Sequence, residues 1–193
     1  MKRNEAISGL IRHARSEILK EFRDDSCIAS TAIGLDVLTH FGVLAEPLAV
    51  RTLIFNEAFA SRIEGGASWP KGDEIKTWLE EDGSYSLGIG MGTPLPGHWA
   101  GHLVLLVEKK ILIDLSIDQA NRPQYNMKFD PFSVEVDNQF LRGIPKVFKH
   151  NGCVIRIDVL PNNMGYITSP DWIFVDRRKK TVDNIIRAIK GVC

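Results

Sequence analysis

GHWAGHLVLLVEKKILIDLSIDQ, residues 97–119, is the stretch from which the rest of the chain can be laid out. Two apolar runs, Leu103–Val107 and Ile111–Leu115, flank the polar connection Glu108-Lys109-Lys110. Short apolar runs joined by a few polar residues are the pattern of adjacent antiparallel strands. His102 opens the first run and Asp114 closes the second, so a hairpin with a short turn brings an imidazole and a carboxylate to the same end. A carboxylate in an apolar run is costly unless paired, and Asp114 needs a partner whatever its role.

Length and composition frame that hairpin. The chain has 193 residues, 44% of them hydrophobic, enough for one sizeable core, and one domain over residues 1–193 is expected. Its 24 basic and 24 acidic side chains cancel. A neutral chain has no overall field to draw it to nucleic acid or to an anionic membrane, so neither is an expected partner. No run approaches the ~20 apolar residues of a membrane span. The start, Met1-Lys2-Arg3-Asn4-Glu5, leads into an amphipathic helix pattern rather than the apolar core of a signal peptide, and cytoplasmic residence is the expectation. Three widely spaced cysteines, Cys27, Cys153 and Cys193, fit free thiols better than a disulfide framework, with Cys153 buried in a strand and Cys193 incidental. No CxxC-type zinc pattern occurs, and no cofactor is expected.

Along the chain, Ile7, Leu10, Ile11, Ala14, Ile18 and Leu19 mark one face of a helix over residues 5–22. Asp24-Asp25-Ser26 is an N-cap signal for a second helix that starts at Cys27, runs to about Phe41 and stops at Gly42. Its expected buried stripe is Ile28, Ala32, Leu35 and Leu38, and its many small residues suit a central helix. Pro47–Phe55 reads as a strand, with a short helix through Asn56–Arg62 after it. Gly65–Pro96 is punctuated by Gly and Pro and reads as irregular apart from a helical piece, Glu74–Glu81. After the hairpin come a polar segment, Ile117–Tyr125, and strands within 132–160, notably Lys146-Val147-Phe148 and Cys153–Leu160, joined by the turn signal Asn151-Gly152. A last helix is expected from about Val182 to Lys190. Helices first and then a mostly antiparallel sheet make an α+β layout.

The chemistry follows that order: Cys27 at a helix start, His102 on one strand, Asp114 on the next. A helix N-terminus supplies a dipole and free N–H groups that favour a thiolate. An imidazole can take the thiol proton, a carboxylate can fix the imidazole's tautomer, and the thiolate can then attack a carbonyl carbon. Read singly, each residue has an ordinary alternative: a buried cysteine, a structural histidine, an aspartate paired to arginine. Gln119 and Trp99 are further candidates, as an oxyanion or substrate donor and as a cleft wall, against readings as a solvated loop residue and as packing. His98 and His102 are four apart with Asp114 near, but such spacing shares a face only on a helix, and no metal site is expected. Arg177-Arg178-Lys179-Lys180 reads as a solvated face, and Lys71-Gly72-Asp73 lacks the pattern of a phosphate loop.

A cysteine at the head of a central helix, Trp99-Ala100-Gly101-His102 leading into a strand, and Leu112-Ile113-Asp114-Leu115-Ser116 ending the next together resemble the papain-like cysteine proteinase fold in its transglutaminase-like branch, which includes the arylamine N-acetyltransferases. The resemblance covers roughly residues 20–120 by pattern. It implies a papain-like or transglutaminase-like α+β fold with N-terminal helices packed on the sheet. It also implies Cys27 as nucleophile, His102 as general base and Asp114 as orienting acid. The expected activity is hydrolysis of a peptide, protein or small amide through an acyl-Cys27 intermediate, with acyl transfer to an amine as the alternative. A catalytically silent binding module of the same fold is the reading from a different class.

Overall fold

β1 (Ala45–Phe55), eleven residues long, has neighbours along both edges. Its first half pairs antiparallel with β3 (His102–Val107) and its second half with β2 (Ser86–Ile89), so these two lie end to end along one edge, while β7 (Cys153–Val159) follows the other. Pro47 falls where only β3 lies alongside, a position at which a missing N–H costs no ladder bond to β7. The computed structural model describes residues 2–23, 26–91 and 99–191.

The sheet is antiparallel throughout, in the order β5-β4-β3-β1-β7-β6, with β2 added on β1. β4 is Ile111–Asp114, β5 Phe132–Glu135 and β6 Lys146–His150. Both hairpin turns use left-handed backbone: Glu108 and Lys109 between β3 and β4, Asn151 and Gly152 between β6 and β7. That geometry matches the twist of the strands it joins. Although β5 and β6 stand at opposite ends of the strand order, the Phe132 and Phe148 rings meet with centroids 5.5 Å apart, so the sheet is curled.

Helices cover one face. They are α1 (Arg3–Ile18), α2 (Cys27–His40) and α7 (Val175–Lys190), and they pack Leu10, Ala14, Ile33, Val37 and Ile185 onto Leu105, Val107, Ile113 and Leu115. Val104, Leu106 and Leu112 point the other way, into the hollow of the curl, among Ile155, Ile157, Phe129 and Phe140. All six residues of β3 are buried, which is why its sequence after His102 is an unbroken apolar run instead of an alternating one. Short helices complete the frame: α3 (Glu57–Glu64) and α4 (Glu74–Asp82) after β1, α5 (Asn138–Leu141) before β6, and α6 (Pro170–Ile173) before α7. Among the described residues no helix is long and apolar enough to cross a membrane.

The α+β expectation holds, with several local corrections. α1 ends at Ile18, so Leu19, expected on the buried stripe, is 44% exposed. α2 has no single stripe: Ala29, Ser30, Thr31, Ile33, Gly34 and Val37 are all buried while Ile28 and Leu35 are only half-buried, because α1, α7 and the sheet surround the helix. At Gly34 a β-carbon would stand 2.6 Å from Leu105 Cδ1 and 2.7 Å from Leu115 Cδ1. Only glycine lets the helix lie that close to β3 and β4. β2 lies inside the stretch expected to be irregular, and α7 begins at Val175 instead of Val182.

Candidate functional site

Thr31, one turn into α2 from Cys27, donates its hydroxyl hydrogen to the Leu103 carbonyl at 2.8 Å. Together with Gly34 this fixes the head of α2 against the start of β3, where His102 stands. Across the hairpin, Leu106 pairs with Leu112, which puts Val104 opposite Asp114 and His102 diagonal to it on the same face. The His102 Nε2 and Asp114 Oδ2 atoms are 2.7 Å apart, and both side chains are wholly buried. The other carboxylate oxygen accepts the Ser116 backbone N–H at 3.0 Å. Asp114 therefore has the partner that its burial demands.

Nε2 being taken by Asp114, the ring nitrogen left to face the cleft is Nδ1. The Cys27 side chain is hydrogen-bonded to this imidazole, and the Gln119 side-chain nitrogen lies 3.3 Å from Nδ1. Burial by itself pushes the His102 pKa down. The charge and hydrogen bond of Asp114, reinforced by the hydrogen bond and charge of Cys27, outweigh it and hold the pKa up at about 10, against 6.5 for an ordinary histidine. At neutral pH the ring is thus held in its charged form beside Cys27.

Cys27, 9% exposed, sits in the floor of a cleft of about 530 Å³. Ile28, Ile89, Gly90, Trp99, Gln119, Gly165 and Asp171 are among the residues that line it. Trp99 donates its indole N–H to Asn163 Oδ1 at 2.6 Å, and Asn163 in turn donates to the Ala100 carbonyl at 2.8 Å. Its ring meets Tyr166 edge-on, and Tyr166 meets Trp172 in the same way. Gly90, with φ +71°, presses so close to the backbone of His102 that a β-carbon would be 2.6 Å from the His102 nitrogen.

At the head of α2, Ser26 occupies the cap position, but its hydroxyl donates to the Arg23 carbonyl and makes no capping bond. The first N–H groups of a helix have no acceptor within it, and among the described residues no side chain caps those of α2 near Cys27. Asp24 and Asp25, expected to share the cap, lie outside the described residues, as do Gly97, His98 and Cys193.

Of the candidates read from sequence, Cys27, Gln119 and Trp99 line one cleft, and His102 and Asp114 lie buried behind it, His102 against Cys27 and Gln119. Cys153 is buried elsewhere in the sheet hollow, where burial and the charge of Glu57 push its thiol pKa up. The basic run is not simply a solvated face. Arg178 is buried, donating to Asp36 at 2.7 Å and to the Trp172 carbonyl at 2.8 Å, while Arg177 pairs with Asp171 and Lys180 with Glu21. Asn163 and Gly90 were given no part in the site by the sequence reading, and Ser116 appeared there only as the end of the Leu112–Ser116 motif, without a role. A serine two residues past an aspartate was a signal for a role of Ser116; nothing local marked the other two. Among the described residues no group of three or more His, Cys, Asp or Glu side chains is gathered to hold a metal ion.

Set against family models, curated proteins and solved structures, the chain matches none. Function has to be argued from the chemistry of the cleft.

Proposed function

We propose that the chain is a thiol hydrolase of the papain-like, transglutaminase-like kind, acting on a peptide or other amide carbonyl through an acyl-Cys27 intermediate. The observation that carries this reading is a single imidazole held between a buried carboxylate and a thiol at the floor of a cleft. Asp114 fixes the Nε2–H end and keeps the ring positively charged, so the reacting pair is an imidazolium whose Nδ1–H faces Cys27 as thiolate. The thiolate attacks the carbonyl carbon, and free N–H groups at the head of α2 stabilise the oxyanion. The imidazolium returns its proton to the leaving amine, and water then hydrolyses the thioester.

An amine in place of water would turn the same intermediate to acyl transfer. The apolar side of the cleft, formed by Trp99, Ile28 and Ile89, makes this the second reading, since it limits access of water to the thioester. Alkylation by iodoacetamide under native conditions, read thiol by thiol by mass spectrometry, tests the proposal. Cys27 is expected to label fastest, and His102→Ala to slow it roughly tenfold or more. Slow, uniform labelling of all the thiols, unchanged in His102→Ala, would refute the enzyme reading in favour of a silent binding module.

A further inference from the structure

Apart from Cys27 itself, Asp171 is the one ionisable side chain that lines the Cys27 cleft among the described residues. The other polar side chains there, Ser26, Gln119, Thr168 and Ser169, are neutral, and the imidazolium of His102 is balanced by its neighbours Asp114 and Cys27. Asp171 is also held in place. It stands between Pro170, the first residue of α6, and Trp172, whose ring meets Tyr166 with centroids 4.9 Å apart and packs in the same apolar cluster as Cys27.

Arg177 of α7 donates to Asp171 Oδ1 at 2.8 Å. That guanidinium lies over the Phe22 ring, 5.3 Å from its centroid, and lines the next depression along the surface, not the cleft. Asp171 lines both, so it forms the ridge between them, and among the described residues only its Oδ1 is engaged. With side chains 55% and 30% exposed, the pair contributes little and leaves the carboxylate able to take a second cation. The cleft is apolar at Ile28, Ile89 and Trp99. Those walls suit an alkyl chain, and the carboxylate suits a positive charge at its end.

We infer that the substrate of Cys27 carries an alkylammonium or alkylguanidinium group, separate from the scissile amide, and that Asp171 receives it as the specificity-determining contact. The inference rests on the thiol-enzyme reading and adds the chemical class of the substrate. The cation anchors and does not react: it donates to Oδ2, Arg177 keeps Oδ1, and the alkyl stem covers the apolar wall.

Paired alkylating reagents test this. N-(ω-aminoalkyl)iodoacetamides of increasing chain length, each set against the n-alkyl iodoacetamide of equal length, bring the same electrophile with and without a cation. In every case Sγ bonds to the methylene carbon as iodide leaves. The quantity read is the ratio of cationic to neutral rate at Cys27, by mass spectrometry, relative to the same ratio for free cysteine. A general change in thiol reactivity cancels from it.

In the wild type the ratio is expected to reach about fivefold at one chain length. Asp171→Asn is expected to bring it close to one, Asp171→Glu to recover it, and Arg177→Met, which frees Oδ1, to raise it. A wild-type ratio near one at every length overturns the inference, as does a preference that survives Asp171→Asn. Failure of Asp171→Glu to recover the ratio overturns it too, making Asp171 a support of the wall. A wild-type Cys27 inert to the whole series would refute the thiol-enzyme reading itself, a result distinct from these.

Discussion

The buried His102–Asp114 pair makes stability depend on pH in a direction that one substitution should abolish. The folded chain holds the His102 proton up to about 10, whereas an unfolded chain releases it near 6.5. A raised pKa gives stability that is fully present below the unfolded value and is lost as pH rises through the folded one. The full span corresponds to roughly 5 kcal/mol at about 1.4 kcal/mol per pH unit, a ceiling for a buried pair.

Cys27 complicates the count, because a proton moved from thiol to ring changes no total. In a Cys27→Ser background that exchange is gone, and the folded chain keeps one proton that the unfolded chain has lost. Its unfolding free energy is then expected to fall by at most about 2–3 kcal/mol between about pH 7 and about pH 9, less to the extent that Cys27 itself helped raise the His102 pKa. Adding Asp114→Asn removes the charge that outweighs burial. The ring is then neutral in the folded state across this window, and the slope contributed by His102 vanishes. Its folded pKa drops below the ordinary value, so its contribution is lost only as pH falls. Urea titrations followed by the fluorescence of the chain's four tryptophans measure both slopes, and their difference cancels every other titrating group. Parallel slopes in the two backgrounds would refute the reasoning.

Two further substitutions probe the supports of the site. Gly90→Ala forces a β-carbon against the His102 backbone at a left-handed position, and is expected to cost about 1–3 kcal/mol and to slow Cys27 alkylation; an unaffected rate would mean that β2 does not set the histidine. Arg178→Ala strips Asp36 and the Trp172 carbonyl of their donor and is expected to cost about 1–3 kcal/mol in urea unfolding while leaving alkylation within about twofold. A loss of alkylation without a loss of stability would show instead that α7 shapes the cleft directly.

The hairpin was legible because two physical signals coincide there: apolar runs long enough for strands, and polar groups only at their ends. The head of α2 was legible for a similar reason, a cysteine following polar residues just before a run of small and apolar ones. The rest depended on tertiary partners. β2 is four residues, Ser-Leu-Gly-Ile, with a glycine inside, and is a strand only because β1 offers it an edge. The stripe expected on α2 assumed one buried face, whereas the helix is enclosed on several sides. Arg178 looked solvated because the run around it is basic. Its burial follows from the earlier start of α7, which turns that residue toward α2. Gln119 carried no periodic signal at all; its place beside His102 rests on a tertiary contact.

The cleft is assembled from pieces that leave the ribosome at very different times. Cys27 emerges early, its base and acid only with the β3–β4 hairpin, and the Gly165–Asp171 wall later still. Synthesis proceeds from the N-terminus at about 5–20 residues per second. During most of that time the nascent chain displays a thiol without its imidazole, of no more consequence to neighbouring carbonyls than any other cysteine. Chains stalled before β3 carry Cys27 but never the imidazole that stands beside it in the folded chain. On the proposed reading, the order of the segments is in itself a safeguard against premature acylation.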